Sequence, residues 1–230
     1  MSFVSFTLFT VLATIWVTSL WFDVQKQPRL RHTWWIYKLV MLTNLNFLLD
    51  VCYSILVILG YKSKKMKEIA DFMHFTSVFP CAMIICGLFW GLYVIEPELV
   101  MPEWIRKLIP VWLNHVTHTF PVVYILLDTY FHKRTAPTKL TCCLLSAVLV
   151  LFYFAIIIIV KLHDGFWLYP ILAMFAVEHF VLSYIAGFVG FYLLTRAACW
   201  INETLHKSQP AKTSETKKTG EKSRKAKKAD

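Results

Sequence analysis

Glycine and acidic residues are both scarce in this chain. Its 230 residues include 7 glycines and 14 aspartates and glutamates, against 24 lysines and arginines. The sequence contains no glycine-rich phosphate-binding loop and no internal repeat, which argues against a P-loop nucleotide-binding protein and against a repeat solenoid. The 6 cysteines lack zinc-finger spacing and lie in apolar stretches, so we expect small buried side chains rather than metal ligands.

Apolar residues are abundant instead. The chain is 57% hydrophobic and 16% aromatic, and its mean hydropathy is +0.55, whereas soluble domains are about 45–50% apolar. The excess falls in runs of about 20 residues, the length that crosses a bilayer. We therefore predict an all-α, polytopic integral membrane helical bundle with about six transmembrane helices. The predicted spans are 3–22, 35–60, 72–95, 106–131, 139–161 and 168–199. Prolines inside them should kink the helices or open them locally, at Pro80, Pro110, Pro121 and Pro170.

The basic residues suggest how the chain is divided and oriented. We predict a transmembrane domain over residues 1–201 and a disordered, lysine-rich tail over 202–230. This tail and the loops at 61–67 and 132–139 hold most of the lysines and arginines, so the positive-inside rule places both termini in the cytosol. The first span lacks a basic leader and a cleavage site, and we expect an uncleaved anchor.

The tail suits anionic membrane lipids. Nucleic-acid binding is not expected, because no folded basic surface accompanies the tail.

Polar side chains inside the spans point to a function, because they are costly in a bilayer. Thr43, Asn46 and Asp50 stand at i, i+3 and i+7 of the second span and share one helix face. Asn114 and His118 stand at i and i+4 of the fourth span. Thr43 should lie roughly 12 Å deep and His118 roughly 18 Å deep from the same side. The two side chains could therefore meet in the outer half of the bilayer.

Thr43 and His118 together would form a minimal acyl-transfer pair. A threonine hydroxyl is a poor nucleophile until a base removes its proton, and a neutral imidazole can act as that base. The sequence leaves open which carboxylate would orient the histidine, with Asp50, Asp128 and Glu178 as candidates. A simpler interpretation is that Thr43 bonds its own i−4 carbonyl and that His118 makes a structural bond between helices.

Two other classes of membrane protein also fit the polar interior. Facing helices could bind haem or another metal between imidazoles, which would come from His74, His115, His118 and His179. A transporter or regulatory scaffold could use the same interior as a path, although the chain lacks the internal repeat of the usual transporter folds.

Three motifs resemble the androgen-induced gene 1 family. They are I-P-V-W-L-N-H-x-x-H-T over 109–119, Y-K-x-x-x-L-T-N-L-N over 37–46 and W-x-Y-P over 167–170. The resemblance implies an integral membrane hydrolase of fatty acid esters of hydroxy fatty acids, with a threonine nucleophile and a histidine. On the family pattern these are Thr43 and His118, and no catalytic role passes to Asn114 or His115. We expect a lipid ester as substrate, no cofactor or bound metal, and residence in the endoplasmic reticulum or the plasma membrane.

Overall fold

The computed structural model describes residues 3–26, 39–107 and 109–207. The first residues of the predicted second span, 35–38, and the tail from 208 onward lie outside this part of the chain. All regular secondary structure in the described ranges is helical, which confirms the all-α fold. In chain order the α-helices are α1 (Phe3–Lys26), α2 (Leu42–Gly60), α3 (Lys64–Met73), α4 (Phe79–Ile95), α5 (Glu103–Arg106), α6 (Val111–His118), α7 (Phe120–Phe131), α8 (Lys139–Asp164) and α9 (Val177–Leu205).

Within the described ranges, four helices are long and apolar enough to cross a bilayer. They are α2, α8, α9 and the continuous helix Lys64–Ile95, in which a π-helical turn at His74–Val78 joins α3 to α4. Shorter apolar helical segments lie at Thr10–Asp23 and Phe120–Phe131. Large apolar side chains stay exposed along α8, as at Leu162 (80% exposed), whereas several charged groups are buried. Such an inside-out distribution fits a chain surrounded by lipid. The chain is therefore a polytopic integral membrane protein.

Two predicted spans differ from the observed helices. The span expected at 106–131 is divided into α6, which follows Pro110, and α7, which has Pro121 in its first turn. The last long helix begins at Val177 rather than near 168, because a 3-10 turn at Pro170–Met174 precedes it. Proline has no backbone hydrogen to donate and disfavours a helical residue before it, so a helix that meets proline in mid-course ends or bends.

The helices pack around one main apolar core. Helix α1 lies against α2, α2 lies against α3, and α9 contacts both α4 and α8. The indole of Trp16 is fully buried and meets the rings of Phe47, Phe120 and Tyr124. Helices α1, α2 and α7 thus converge on one aromatic side chain. A smaller apolar cluster joins the second half of α8 to the segment that follows it, through Ile157, Val160, Leu168 and Leu172.

A buried ionic cluster around Arg134 connects several helices. The guanidinium of Arg134 donates to Asp128 Oδ1 at 2.7 Å and to Asp71 Oδ1 at 2.9 Å, and its side chain is only 3% exposed. The hydroxyl of Tyr53 also donates to Asp128, and the side chain of Asn202 bonds the backbone beside Arg134. Burial alone would lower the pKa of Arg134, but the two carboxylates raise it above its ordinary value. Helices α2, α3, α7 and α9 therefore meet at one fixed charge.

Gly60 ends α2 at its closest approach to α3. An added Cβ atom here would stand 3.1 Å from Lys67 Cα and 3.2 Å from Lys67 N, and backbone cannot move aside as a flexible side chain can. We expect Gly60→Ala to destabilise the purified protein by about 1–3 kcal/mol, measured as a lower melting temperature in detergent. Gly91→Ala is the control: no described atom lies within 4 Å of its added Cβ, and alanine in a helix is favoured by up to about 1 kcal/mol. Equal melting temperatures for the two variants would contradict this reading.

Candidate active site

Thr43 is the second residue of α2 and is half-buried. The predicted second span begins near residue 35, and residues 35–38 lie outside the described part of the chain. Leu39 and Val40 are helical, and α2 begins at Leu42 after an extended Met41. The backbone N–H of Leu42 donates to two hydroxyls, Tyr153 Oη at 2.9 Å and Tyr169 Oη at 3.0 Å. Two tyrosines from a distant part of the chain therefore hold the start of α2, and with it the position of the Thr43 hydroxyl.

His118 is the last residue of α6 and is 9% exposed. It lies immediately before the break that Pro121 introduces between α6 and α7. Its imidazole stacks on the ring of Phe89 in α4, with 3.6 Å between ring centroids and 19° between ring planes. Because the ring of Phe89 covers one face of the imidazole, the imidazole cannot turn freely about its Cβ–Cγ bond. The directions of its two nitrogens are therefore fixed.

The structure brings Thr43 and His118 together. The distance from Thr43 Oγ1 to His118 Nε2 is 3.3 Å, and the two residues come from separate helices. On the other side of the ring, His118 Nδ1 lies 3.0 Å from the backbone carbonyl oxygen of Asn114. Thr117 Oγ1 also lies 3.0 Å from Nδ1, but its hydroxyl hydrogen has the carbonyl oxygens of Leu113 and Asn114 as acceptors. Because a carbonyl can only accept a hydrogen bond, Nδ1 is assigned the hydrogen and Nε2 presents a lone pair. In this tautomer the Thr43 hydroxyl donates to Nε2, as a nucleophile donates to its general base.

None of the three carboxylates considered from the sequence contacts His118 in the described structure. Asp50 accepts from the side-chain amide of Asn46 at 2.8 Å, Asp128 belongs to the cluster around Arg134, and Glu178 is exposed. The group that orients the imidazole is a backbone carbonyl instead. A carbonyl fixes the tautomer as a carboxylate would, but it adds no negative charge to stabilise an imidazolium.

The other histidines considered as haem or metal ligands lie in separate surroundings. His74 is buried beside Tyr53 and Asp128, and His115 stacks on Trp90. His179 is exposed and accepts from the backbone N–H of Ala176, the residue before its helix. Across the described ranges, no group of three or more histidine, cysteine, aspartate or glutamate side chains is arranged to hold a metal ion. Their positions give no support to a site between facing imidazoles.

Several groups that surround Thr43 and His118 could not be recognised from the sequence alone. The orienting carbonyl of Asn114 is a backbone atom, which any residue would supply at that place. Phe89 is one aromatic among many in an apolar helix. Only Tyr169 could have been singled out, because it lies in the W-x-Y-P motif at 167–170. The Tyr169 hydroxyl contacts the start of α2, so the W-x-Y-P motif lies next to the residue that precedes Thr43.

Fold and site together define a helical membrane protein with a half-buried threonine–histidine pair. A family model described as FAR-17a/AIG1-like protein matches residues 5–203, so the match includes both residues of the pair. The chain belongs to the FAR-17a/AIG1-like family, and the resemblance seen in its motifs is confirmed.

Individual relatives are similar at a moderate level. The androgen-dependent TFPI-regulating protein of Homo sapiens is 29% identical over 130 residues, which cover 55% of this chain and 56% of that protein. The androgen-induced gene 1 protein of Homo sapiens is 27% identical over 109 residues, 47% of this chain and 46% of that protein. The chain thus aligns with about half the length of these curated relatives. No solved structure matches it.

Proposed function

We propose that this protein is an intramembrane carboxylic ester hydrolase in which Thr43 is the nucleophile and His118 is its general base. The observation that carries the proposal is the 3.3 Å contact between Thr43 Oγ1 and His118 Nε2, with Nδ1 occupied by the Asn114 carbonyl. A threonine that served only its own helix would direct its hydroxyl to a backbone carbonyl, as Thr14 does in α1. Thr43 instead directs its hydroxyl to a ring nitrogen on another helix.

The reaction follows from this arrangement. His118 Nε2 takes the hydroxyl proton while Thr43 Oγ1 bonds to the ester carbonyl carbon, and the carbonyl electron pair moves onto its oxygen. As this pair returns, the bond to the alcohol oxygen breaks, and that oxygen takes the proton from Nε2. A water molecule then gives a proton to Nε2 and bonds to the acyl carbon. The acyl–threonine bond breaks, Thr43 regains the proton, and the carboxylic acid leaves.

The substrate class we propose is a fatty acid ester of a hydroxy fatty acid. Both halves of such an ester are lipids, and the pair lies in a bundle whose outer surface is apolar along its long helices. We propose that a substrate dissolved in the bilayer approaches the half-buried Thr43 from the side. The basic loops support the proposed orientation with cytosolic termini. The endoplasmic reticulum and the plasma membrane are the proposed locations.

Covalent capture on the purified protein tests this function directly. We expect a fluorophosphonate probe to label the protein, mass spectrometry to map the adduct to Thr43, and labelling to fall in step with hydrolysis of the lipid ester in proteoliposomes. Prior incubation with excess ester should slow the labelling. An adduct on another residue would show that Thr43 is not the nucleophile. Absence of hydrolysis by folded protein would show that the protein is not an ester hydrolase.

A further inference from the structure

Two tyrosine hydroxyls form a pair beside the start of α2. Tyr153 comes from α8, and Tyr169 comes from the segment between α8 and the 3-10 turn Pro170–Met174. Their hydroxyl oxygens are 2.8 Å apart, and both accept from the backbone N–H of Leu42. Both rings belong to the smaller apolar cluster formed by the second half of α8 and the segment that follows it. The two hydroxyls are therefore a polar feature in apolar surroundings, directed at the residue that precedes Thr43.

The two tyrosine hydroxyls have one more hydrogen than their observed contacts use. Each hydroxyl has a single hydrogen, and only one of the two can lie between the two oxygens. The Leu42 amide supplies its own hydrogen to the pair and takes none from it. One hydroxyl hydrogen, on Tyr153 or on Tyr169, thus has no acceptor among the described residues. A half-buried donor without an acceptor is ready to bond a ligand.

The tyrosine hydroxyls contact the residue that precedes the proposed nucleophile. Leu42 and Thr43 are consecutive, so their Cα atoms are about 3.8 Å apart. Both residues belong to the first turn of α2, and the N-terminal end of a helix carries a partial positive charge. An ester attacked by Thr43 Oγ1 would place its carbonyl oxygen, which becomes negative, near this helix end and near the tyrosine hydroxyls.

We propose that the Tyr153–Tyr169 pair donates a hydrogen bond to the ester carbonyl oxygen and stabilises the oxyanion formed when Thr43 attacks. This inference rests on the proposed hydrolase function and adds a further catalytic group to it. One tyrosine donates its hydrogen to the ester, and the other holds the first in place by donating its own hydrogen to the oxygen of the first. Preorganised donors of this kind act mainly on the transition state.

The alternative role for the pair is to cap α2 and nothing more. A cap contributes to stability, whereas an oxyanion donor contributes to turnover and leaves substrate affinity nearly unchanged. The double variant Tyr153→Phe/Tyr169→Phe keeps both rings and removes both hydroxyls. A cap that serves stability alone predicts a lower melting temperature with normal kcat, whereas a group that acts on turnover predicts a lower kcat. Tyr184→Phe is the control, because Tyr184 is also a half-buried tyrosine and packs edge-on against Phe154 of α8.

The experiment measures kcat and KM on the lipid ester for wild type, the double variant and Tyr184→Phe. It also measures inhibition by a trifluoromethyl ketone analogue, which forms a tetrahedral adduct, and by the unreactive ether analogue. In the double variant we expect kcat to fall by roughly 10²- to 10³-fold. We expect KM and ether binding to change less than about threefold, and ketone inhibition to weaken in proportion to kcat/KM. Tyr184→Phe should match wild type.

Wild-type kcat in the double variant would overturn the tyrosine assignment while leaving Thr43 and His118 in place. Equal weakening of ether and ketone binding would also overturn it, because the pair would then only shape the site. If the double variant does not fold, the single variants decide: at least one should lose kcat by about tenfold or more, and normal kcat in both would overturn the proposal. An inactive wild type would instead remove the hydrolase function itself, so the two failures are distinguishable.

Discussion

In the Thr43→Ala protein, hydrolysis of the lipid ester is expected to fall by at least about 10³-fold, because no oxygen remains to form the acyl intermediate. Thr43→Ser keeps a hydroxyl at the same carbon and should retain measurable turnover. Thr14→Ala is the matched control, since Thr14 is a threonine of α1 whose hydroxyl donates to a backbone carbonyl at 2.9 Å. It should keep the wild-type rate. The measurement is fatty acid release in proteoliposomes at equal amounts of folded protein.

Variants of His118 test whether the histidine and Thr43 act as one catalytic unit. His118→Ala should lose activity by roughly 10²- to 10⁴-fold, and combining it with Thr43→Ala should cost little more than Thr43→Ala alone. Groups that act as one catalytic unit are strongly non-additive. His115→Ala, three residues earlier on α6, should stay near wild type, because its imidazole stacks on Trp90 away from the pair. Losses that multiply in the double variant would mean that Thr43 and His118 act separately.

The second large effect concerns stability rather than activity. Asp128→Asn should destabilise the protein by about 3–5 kcal/mol, because it leaves the buried guanidinium of Arg134 with one carboxylate instead of two. The geometry supports a large value, since Arg134 Nε and Nη2 both donate to Asp128, at distances from 2.7 to 3.1 Å. The measurement is thermal unfolding in detergent, with the melting-temperature shift converted through the unfolding enthalpy.

An exposed ion pair is the control for this loss. Glu98→Gln breaks the contact between Glu98 Oε1 and Arg106 Nη2, whose side chains are 50% and 34% exposed, and it should cost less than about 1 kcal/mol. Replacing both partners of the buried pair, with Asp128→Leu and Arg134→Leu together, should cost less than the sum of the two single changes. Similar losses at Asp128 and Glu98 would show that the buried cluster contributes no more than a surface pair.

Much of the fold is predictable because hydrophobic length is a direct consequence of bilayer thickness. The apolar runs predict α8 within a few residues, and they predict the residues at which α2 and the helix Lys64–Ile95 end. The start of α9 lies nine residues later than predicted, after the turn at Pro170–Met174. Helix starts are less predictable where apolar sequence continues past them. The start of α2 at Leu42 depends on hydroxyls that lie 111 and 127 residues further along the chain, and no local pattern encodes such a contact.

The two side chains of the candidate site could be predicted from the sequence, but the groups that hold them in position could not. Thr43 and His118 stand out as polar residues in apolar spans, and the family motifs select them from the other polar residues. The depth of His118 was estimated from an unbroken fourth span, which the structure divides into α6 and α7, although the side chains meet. The orienting group could not be predicted, because the search was for a carboxylate and the structure uses the carbonyl of Asn114.

The continuous helix Lys64–Ile95 has a consequence for the membrane around the protein. Its 32 residues correspond to a rod about 48 Å long, whereas the hydrocarbon layer is about 30 Å thick. The rod must tilt steeply or project into the headgroups, and its charged first turns are the part that projects. Asp71, and with it the salt bridge to Arg134, lies about 10 Å along this end. Bilayer thickness therefore sets how far the end of the helix that carries this salt bridge stands out of the hydrocarbon layer, and lipid composition becomes a determinant of how the bundle is seated in its membrane.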